Sequence, residues 1–155
     1  MNLPPKKRTS LGENLSLAAQ QAQLQIQHCA ACDHWNYPPR EVCGCCLSGQ
    51  LSWQQHSGLG EILAAVELQH SFESYFSARL PWRLVSVQLE GNGGNGPVVY
   101  AHCHAAEFQP GAMIKIVNVT DPSGAGVFIA TGRDSAAAQT ALLLALAGFS
   151  EQENK

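Results

Sequence analysis

Five of the six cysteines in this 155-residue chain fall within the nineteen residues HCAACDHWNYPPREVCGCC, positions 28 to 46. Their order is Cys29-x2-Cys32, ten intervening residues, then Cys43-x2-Cys46. Each Cys-x2-Cys knuckle can bring two thiolates to one side of a tight turn, and two knuckles supply the tetrahedral four-sulfur shell that zinc favours. A disulfide between neighbouring cysteines would strain such a turn and would do little for a segment that lacks a core. Structural zinc addresses that lack directly, since it supplies on the order of 10 to 16 kcal/mol of apparent folding free energy in small finger peptides. Cys29, Cys32, Cys43 and Cys46 are therefore the expected metal ligands. Cys45 is left over, because Cys43 with Cys45 makes a stereochemically poorer pair. His28 and His34 read as exposed neighbours. A rubredoxin-like iron site would use the same four ligands and imply electron transfer, so thiolates alone leave the metal open. The short separation between the knuckles favours a structural ribbon.

The remaining composition restricts the partners and the compartment. Nine Lys and Arg against twelve Asp and Glu give a formal charge of -3, and three of the cations, Lys6, Lys7 and Arg8, sit in a polar N-terminal tail. No basic footprint for nucleic acid is left. The start of the chain, MNLPPKKRTSLGEN, carries no apolar run that would serve as a signal peptide, and no stretch of about 18 apolar residues occurs. A cytoplasmic location without membrane contact is expected, and in a reducing compartment clustered cysteines read as metal ligands or redox groups.

Along the chain, four units are expected: residues 1–27 as a tail and helix, 28–57 as the zinc ribbon, 58–133 as a barrel, and 134–155 as a C-terminal helix and tail. Leu11, Leu15, Ala18 and Ala22 place a narrow apolar stripe on a helix over 10–22. Leu24-Gln-Ile26-Gln then alternates, as a strand leading into the first knuckle does. From Gly60 to Arg133 the pattern is all-β. Ile62, Ala64, Val66 and Leu68 read as one face; so do Val85, Val87 and Leu89; so do Val99, Ala101, Cys103 and Ala105; Ile114 with Ile116, and Val127 with Ile129, complete five strands. Turns at 91–97, 111 and 122–126 separate them, which suits a small closed barrel of the oligonucleotide/oligosaccharide-binding (OB) type. The fold class is thus mainly β, with a rubredoxin-like zinc ribbon, a five-stranded OB barrel and a helix at each end. Residues 71–82 form an aromatic-rich loop or short helix with Phe72, Tyr75, Phe76 and Trp82. The final run DSAAAQTALLLALAGFS reads as a helix capped at Asp134 or Ser135 and ended at Gly148. Leu142, Leu143, Leu144 and Leu146 leave it little polar face, so it is expected to pack on the barrel or on a partner protein.

Two signals that imitate active sites fail on context. His102-Cys103-His104 looks like an activated thiol, but in a strand Cys103 points with Ala101 into the core while both histidines take the opposite face. Gly91-Asn-Gly-Gly-Asn-Gly96 satisfies the dinucleotide pattern formally, yet it joins two strands and opens no helix that could receive a pyrophosphate. The chain is expected to perform no bond chemistry by itself.

The order LQIQHCAAC, YPPREVC, a second cysteine pair, LSW, SGLGEI and LPWRLVSVQLEG resembles the zinc-ribbon plus OB-fold proteins of domain-of-unknown-function family 35, over residues 15 to 130. The resemblance implies that Cys29, Cys32, Cys43 and Cys46 hold structural zinc. It also implies a non-catalytic subunit that stabilises a thiolase-like catalytic partner in a hetero-oligomer and helps shape its acyl-CoA site, with a coenzyme A thioester near the interface. The small subunit of a thiolase in anaerobic toluene degradation is one such class, and some members accompany acyl-CoA hydratases. Gly44 departs from the proline usual in the second knuckle, which is expected to loosen that turn. Candidate partner contacts are Trp35, Tyr37 and Arg40 on the ribbon, Phe72, Tyr75, Phe76 and Trp82 on the aromatic loop, and Leu142, Leu143 and Leu146 near the C-terminus. The rival reading is a single-stranded nucleic-acid-binding module. It has only Arg79, Arg83 and Lys115 between Gly58 and Ala130 to serve as a phosphate track, which is thin when each phosphate contact needs its own cation.

Overall fold

The computed structural model describes residues 3–5, 9–94, 96–103 and 108–133. The expected C-terminal helix, with Leu142, Leu143 and Leu146, lies outside the described residues, as do Lys6 to Arg8, His104 and Ala105. The chain is mainly β. A helix α1 (Glu13–Gln20) precedes a three-stranded ribbon sheet formed by β1 (Gln25–Cys29), β2 (Trp35–Asn36) and β3 (Leu51–Gln55) in the order β2-β1-β3. A closed barrel follows, built from β4 (Leu59–Leu68), β5 (Trp82–Leu89), β6 (Val98–Cys103), β7 (Met113–Thr120) and β8 (Gly126–Thr131), with the short helix α2 (Ser74–Ser77) between β4 and β5. The barrel order is β4-β5-β6-β8-β7, and β7 closes onto β4 through Leu59↔Lys115, Gly60↔Ile114 and Glu61↔Met113. All its pairings are antiparallel except β6 with β8.

Period-two patterning placed β5, β6 and β7 correctly: Val85, Val87, Leu89, Val99, Ala101, Cys103, Ile114 and Ile116 are all buried in one core. Two strands differ from expectation. β4 shifts register between Ile62 and Ala64, so Ile62 faces the core while Ala64 is exposed and Val66 is 52% exposed. An extra residue in a strand reverses every side chain beyond it. In β8, Phe128 and Ala130 join the barrel core, whereas Ile129 packs in a second cluster with Trp82 and Val119 on the other side. Both faces of β8 are covered, and alternation cannot distinguish faces in such a strand. The N-terminal helix is shorter than 10–22. It ends at Gln20, and Ala22 lies beyond it in the left-handed region at φ 53°.

Polar contacts dock α1 on the barrel. The Asn118 side-chain amide, buried in β7, donates to the Leu15 carbonyl at 2.8 Å and to the Gln23 carbonyl at 3.1 Å. The Gly126 N–H donates to Ser16 Oγ at 3.0 Å, and a Cβ on Gly126 would meet the Leu15 carbonyl oxygen at 2.5 Å. Glycine there is what lets helix and strand approach so closely.

The ribbon and the barrel share apolar packing. Leu24 and Ile26 are buried in the same cluster as Val87, Ile116 and Phe128, and Trp35, Tyr37 and Trp53 pack against it. His56 fastens the junction. Its backbone N–H donates to the Leu24 carbonyl at 2.9 Å. Its Nδ1 accepts from the Gly58 N–H at 3.0 Å, which leaves the ring hydrogen on Nε2, and that nitrogen lies 2.8 Å from the Glu90 carbonyl oxygen. The ring is 6% exposed and abuts Trp35 edge-on at 4.8 Å. Two buried hydrogen bonds at about 1 kcal/mol each, together with a small cavity, set the expected cost of His56→Ala at about 2 to 3 kcal/mol. Urea denaturation checks this, and a change below about 0.5 kcal/mol would show the strut to be ornamental.

Candidate metal centre

Four sulfur atoms converge at the far end of the ribbon. Cys29, Cys32, Cys43 and Cys46 bring their Sγ atoms within 4.8 Å of one another. Cys29 and Cys46 are 3.7 Å apart and Cys32 and Cys43 are 3.6 Å apart. A disulfide would require about 2.05 Å. Zinc with Zn–S bonds of about 2.3 Å sits in a sulfur tetrahedron with edges of about 3.8 Å, so the donor set fits the ion.

The two knuckles repeat one backbone geometry. In the first, the Cys29 N–H donates to the His34 carbonyl at 2.9 Å and the Asp33 N–H to the Cys29 carbonyl at 2.9 Å. In the second, the Cys43 N–H donates to the Ser48 carbonyl at 2.8 Å and the Leu47 N–H to the Cys43 carbonyl at 3.0 Å. The residue after the second cysteine is left-handed in both, Asp33 at φ 58° and Leu47 at φ 62°. Asp tolerates that region better than Leu, whose Cβ is crowded there.

The thiols differ in their readiness to ionise. Burial opposes ionisation of Cys43, but the Cys46 and Cys45 backbone N–H groups and the Asn36 amide overcome it, leaving the Cys43 pKa at about 6. Two of those donors are the Cys45 N–H at 3.4 Å and Asn36 Nδ2 at 3.6 Å from the sulfur. Burial, with contributions from the neighbouring thiols, pushes Cys32 far above the usual thiol range. At Cys46 the Ser48 backbone and the Cys32 thiol favour ionisation, yet burial and the Cys29 and Cys43 thiols prevail and raise it. Four thiolates this close repel one another, and a bound divalent cation is what lets them ionise together.

Two amides that are not among the four sulfur donors brace the cage, and no motif marks either of them. Asn36, 3% exposed, accepts the Gly44 N–H on Oδ1 at 2.8 Å and donates to the His34 carbonyl at 3.1 Å, tying both knuckles together. Gln27 grips the intervening loop at Arg40, accepting its N–H at 2.8 Å and donating to its carbonyl at 3.0 Å. Gly44, where a proline is usual, is tied into this brace through its backbone. Its N–H is a hydrogen-bond donor that a proline would lack, and the Arg40 guanidinium occupies the space beside it, with Nη1 2.6 Å from where a Cβ would stand.

The other sequence candidates are spread over the molecule. His28 is packed rather than exposed: it meets Trp35 edge-on at 4.7 Å and pairs with Asp33 at 3.4 Å. Trp35 is therefore held between His28 and His56, and Tyr37 lies 5.5 Å from Phe128. Arg40 is exposed. In the aromatic loop Phe72 is 98% exposed, whereas Tyr75 at 2% and Trp82 at 8% are spent on the chain's own packing, with Phe76 between them. Burial raises the Tyr75 phenol pKa, and Arg79, 3.9 Å over the ring, pulls it the other way. Cys103 is buried as expected. His102 is not simply exposed, for it accepts the Trp82 indole N–H on Nδ1 at 2.9 Å. The glycine-rich segment is a strand-to-strand turn containing a short 3₁₀ stretch at Asn92–Gly94, with no long helix to receive a phosphate. Of the three barrel cations, Arg79 donates to the Tyr75 carbonyl at 2.8 Å and Arg83 to the Phe108 carbonyl at 3.0 Å, which leaves little for a phosphate track. No described helix is long and apolar enough to cross a membrane.

Comparison with known proteins agrees with the geometry. Residues 18–52 match the family model of the ChsH2 rubredoxin-like zinc ribbon domain. No curated protein matches the chain. Among solved structures, one described as an Ltp2-ChsH2(DUF35) aldolase superimposes with a TM-score of 0.65 at 21% sequence identity, covering 81% of this chain and 97% of that one. The chain has the zinc-ribbon plus barrel architecture that its resemblance to domain-of-unknown-function family 35 implies.

Purified protein is expected to be colourless and to carry about one zinc per chain. By elemental mass spectrometry Cys43→Ser should fall to background while Cys45→Ser keeps its zinc. Loss of metal from the Cys45 variant would reverse the ligand assignment. Leu47→Gly, which removes the crowded Cβ, is expected to raise the stability of the zinc-loaded protein by about 1 kcal/mol in urea. An unchanged midpoint would mean that the leucine side chain compensates its strain.

Proposed function

We propose that this chain is a non-catalytic, zinc-organised subunit of an acyl-CoA-processing complex, where it stabilises a thiolase-like catalytic partner and helps shape the acyl-CoA site. The observation that carries this reading is the correspondence, over nearly the whole of the matched chain, with a structure whose description pairs Ltp2 with a ChsH2 protein in an aldolase. Thiolases and aldolases both make or break a carbon–carbon bond next to a carbonyl through an enolate-stabilised carbon. A partner of either kind fits the same accessory role, and the thiolase assignment rests on the sequence resemblance. An acyl-CoA hydratase is the nearest alternative partner.

In this reading the zinc ion, when bound, supplies rigidity and no chemistry. Cys29, Cys32, Cys43 and Cys46 hold it, and Asn36 and Gln27 fix the loops around it. The contact surface includes Arg40 on the ribbon and Phe72 on the aromatic loop, the exposed ones among the described candidate anchors. A charged guanidinium and an aromatic ring are the side-chain types enriched at interfaces. A coenzyme A thioester would be bound at the partner interface, with this chain forming one wall.

A tagged copy isolated from its native cell at ordinary salt is expected to bring down a thiolase-type or aldolase-type subunit in fixed stoichiometry. Phe72→Ala should weaken that association at least tenfold in a binding titration while zinc content stays constant. Recovery of the chain alone, or of single-stranded nucleic acid, would overturn the proposal.

A further inference from the structure

The ribbon sheet has two edges, β2 and β3. β2 is two residues long, whereas β3 runs for five and, among the described residues, pairs with β1 alone. The phase of its hydrogen bonds follows from those at its ends. The Gln50 carbonyl accepts from the Ala30 N–H at 2.9 Å, and the His56 N–H donates to the Leu24 carbonyl at 2.9 Å. Both face the β1 side. Between them the register is unbroken, from Cys29↔Leu51 to Gln25↔Gln55. Successive residues of a strand direct their backbone groups to alternate sides, so Ser52 and Gln54 bond toward β1 while Leu51, Trp53 and Gln55 direct theirs away. The Leu51 N–H turns back to the Gly49 carbonyl at 2.8 Å. The Leu51 carbonyl, both backbone groups of Trp53 and the Gln55 N–H remain along the outer edge.

Such an edge is a template for another strand, and proteins ordinarily blunt it with a lysine, a proline or a bulge. LSWQQ has none of these: it holds no charge and no proline, and its pairing with β1 shows no register shift. Its side chains are half-buried or exposed. Trp53 rests on the barrel core, and on the opposite face Gln54 Nε2 donates to Ser52 Oγ at 3.2 Å.

The occupant that fits this edge is a second copy of the same strand. Antiparallel pairing centred on Trp53 is self-complementary, as a two-fold interface must be. It sets Trp53 against Trp53 in a hydrogen-bonded pair, each N–H donating to the other's carbonyl. It also sets Gln55 of one protomer against Leu51 of its partner, so that the Gln55 N–H donates to the Leu51 carbonyl. Both outward donors that β1 leaves unpaired thus meet an acceptor, and the Leu51 N–H, already bonded, needs none. Ser52 comes opposite Gln54, so no like charges meet across the seam.

We propose that this chain forms a two-fold dimer by antiparallel pairing of β3 about Trp53, which joins two ribbon sheets into one. The pairing goes beyond the accessory role and does not depend on which catalytic subunit the chain serves.

A single strand edge is a small interface, so the association belongs to the weak class. Sedimentation equilibrium of the full, zinc-loaded chain is expected to show the mass rising from that of one chain toward that of two between about 5 and 500 µM. Over the same range the Trp53 and Gln55 amide hydrogens should slow their exchange at least tenfold by NMR, whereas those of Ser52 and Gln54, bonded to β1, stay constant. Gln55→Pro removes one outward donor at a position where an edge strand tolerates proline. Gln54→Lys adds the charge that blunts such an edge. Each variant should associate at least tenfold more weakly with its zinc content unchanged. A monomeric mass across the whole range would overturn the proposal. So would a dimer that survives both substitutions, or one in which Trp53 and Gln55 exchange as fast as in the monomer, since either result places the contact on another surface.

Discussion

Mutual repulsion among four thiolates, relieved by one cation, is the constraint on which the ribbon depends. β2 contributes two residues and the knuckle tips point outward: Val42 is 47% exposed and Leu47 74%. Little apolar surface is buried around the cysteines themselves, so metal coordination takes the place that a core holds elsewhere. The protein invests instead in orienting the ligands. Both knuckles use the same pair of backbone hydrogen bonds and the same left-handed residue, and Asn36 bonds to elements of both. Oriented amides around a metal-ligand shell set ligand geometry before the ion arrives.

The metal fixes only the distal end. The proximal end is held by ordinary packing, because Leu24 and Ile26 belong to the barrel core and Trp53 rests on it. The ribbon enters and leaves the barrel at one neck, where Gln25 pairs with Gln55 and the His56 N–H bonds to the Leu24 carbonyl. α1 is bound to the same region through Asn118, which holds the carbonyls of Leu15 and Gln23. A boundary drawn at Ser57 and Gly58 is therefore a change of local architecture within continuous packing.

The parts legible in the sequence are those where one local rule decides. Ligand spacing located the four sulfurs, and strict alternation located the inner faces of β5, β6 and β7. Where a second influence enters, the pattern misleads. One inserted residue in β4 reverses Ala64, Val66 and Leu68, and nothing in EILAAVEL marks its position. β8 is apolar on both faces, so Val127 and Ile129 looked inward when Phe128 and Ala130 are. Asn36 and Gln27 are polar residues in short strands, which reads as solvent exposure; their burial depends on loops that return from about ten residues downstream. The aromatic loop shows the converse error. Four aromatic side chains looked alike as contact anchors, yet the fold consumes Tyr75 and Trp82 and leaves Phe72 in solvent.

Holding the ribbon at both ends has a mechanical consequence for any surface it presents. A hairpin fixed only at its neck would swing, and a partner would have to bear the entropy of stopping it. Here the distal knuckle is closed by coordination, and Asn92 of the barrel's glycine-rich turn reaches the Asp33 carbonyl at 3.5 Å. The His56 strut and the Trp35 ring between His28 and His56 stiffen the neck. The Arg40 backbone, gripped by Gln27, is thereby tied to the ribbon sheet. A surface held at both ends can be matched by a rigid face with little ordering cost, and removing the ion would release the distal knuckle while leaving the neck in place.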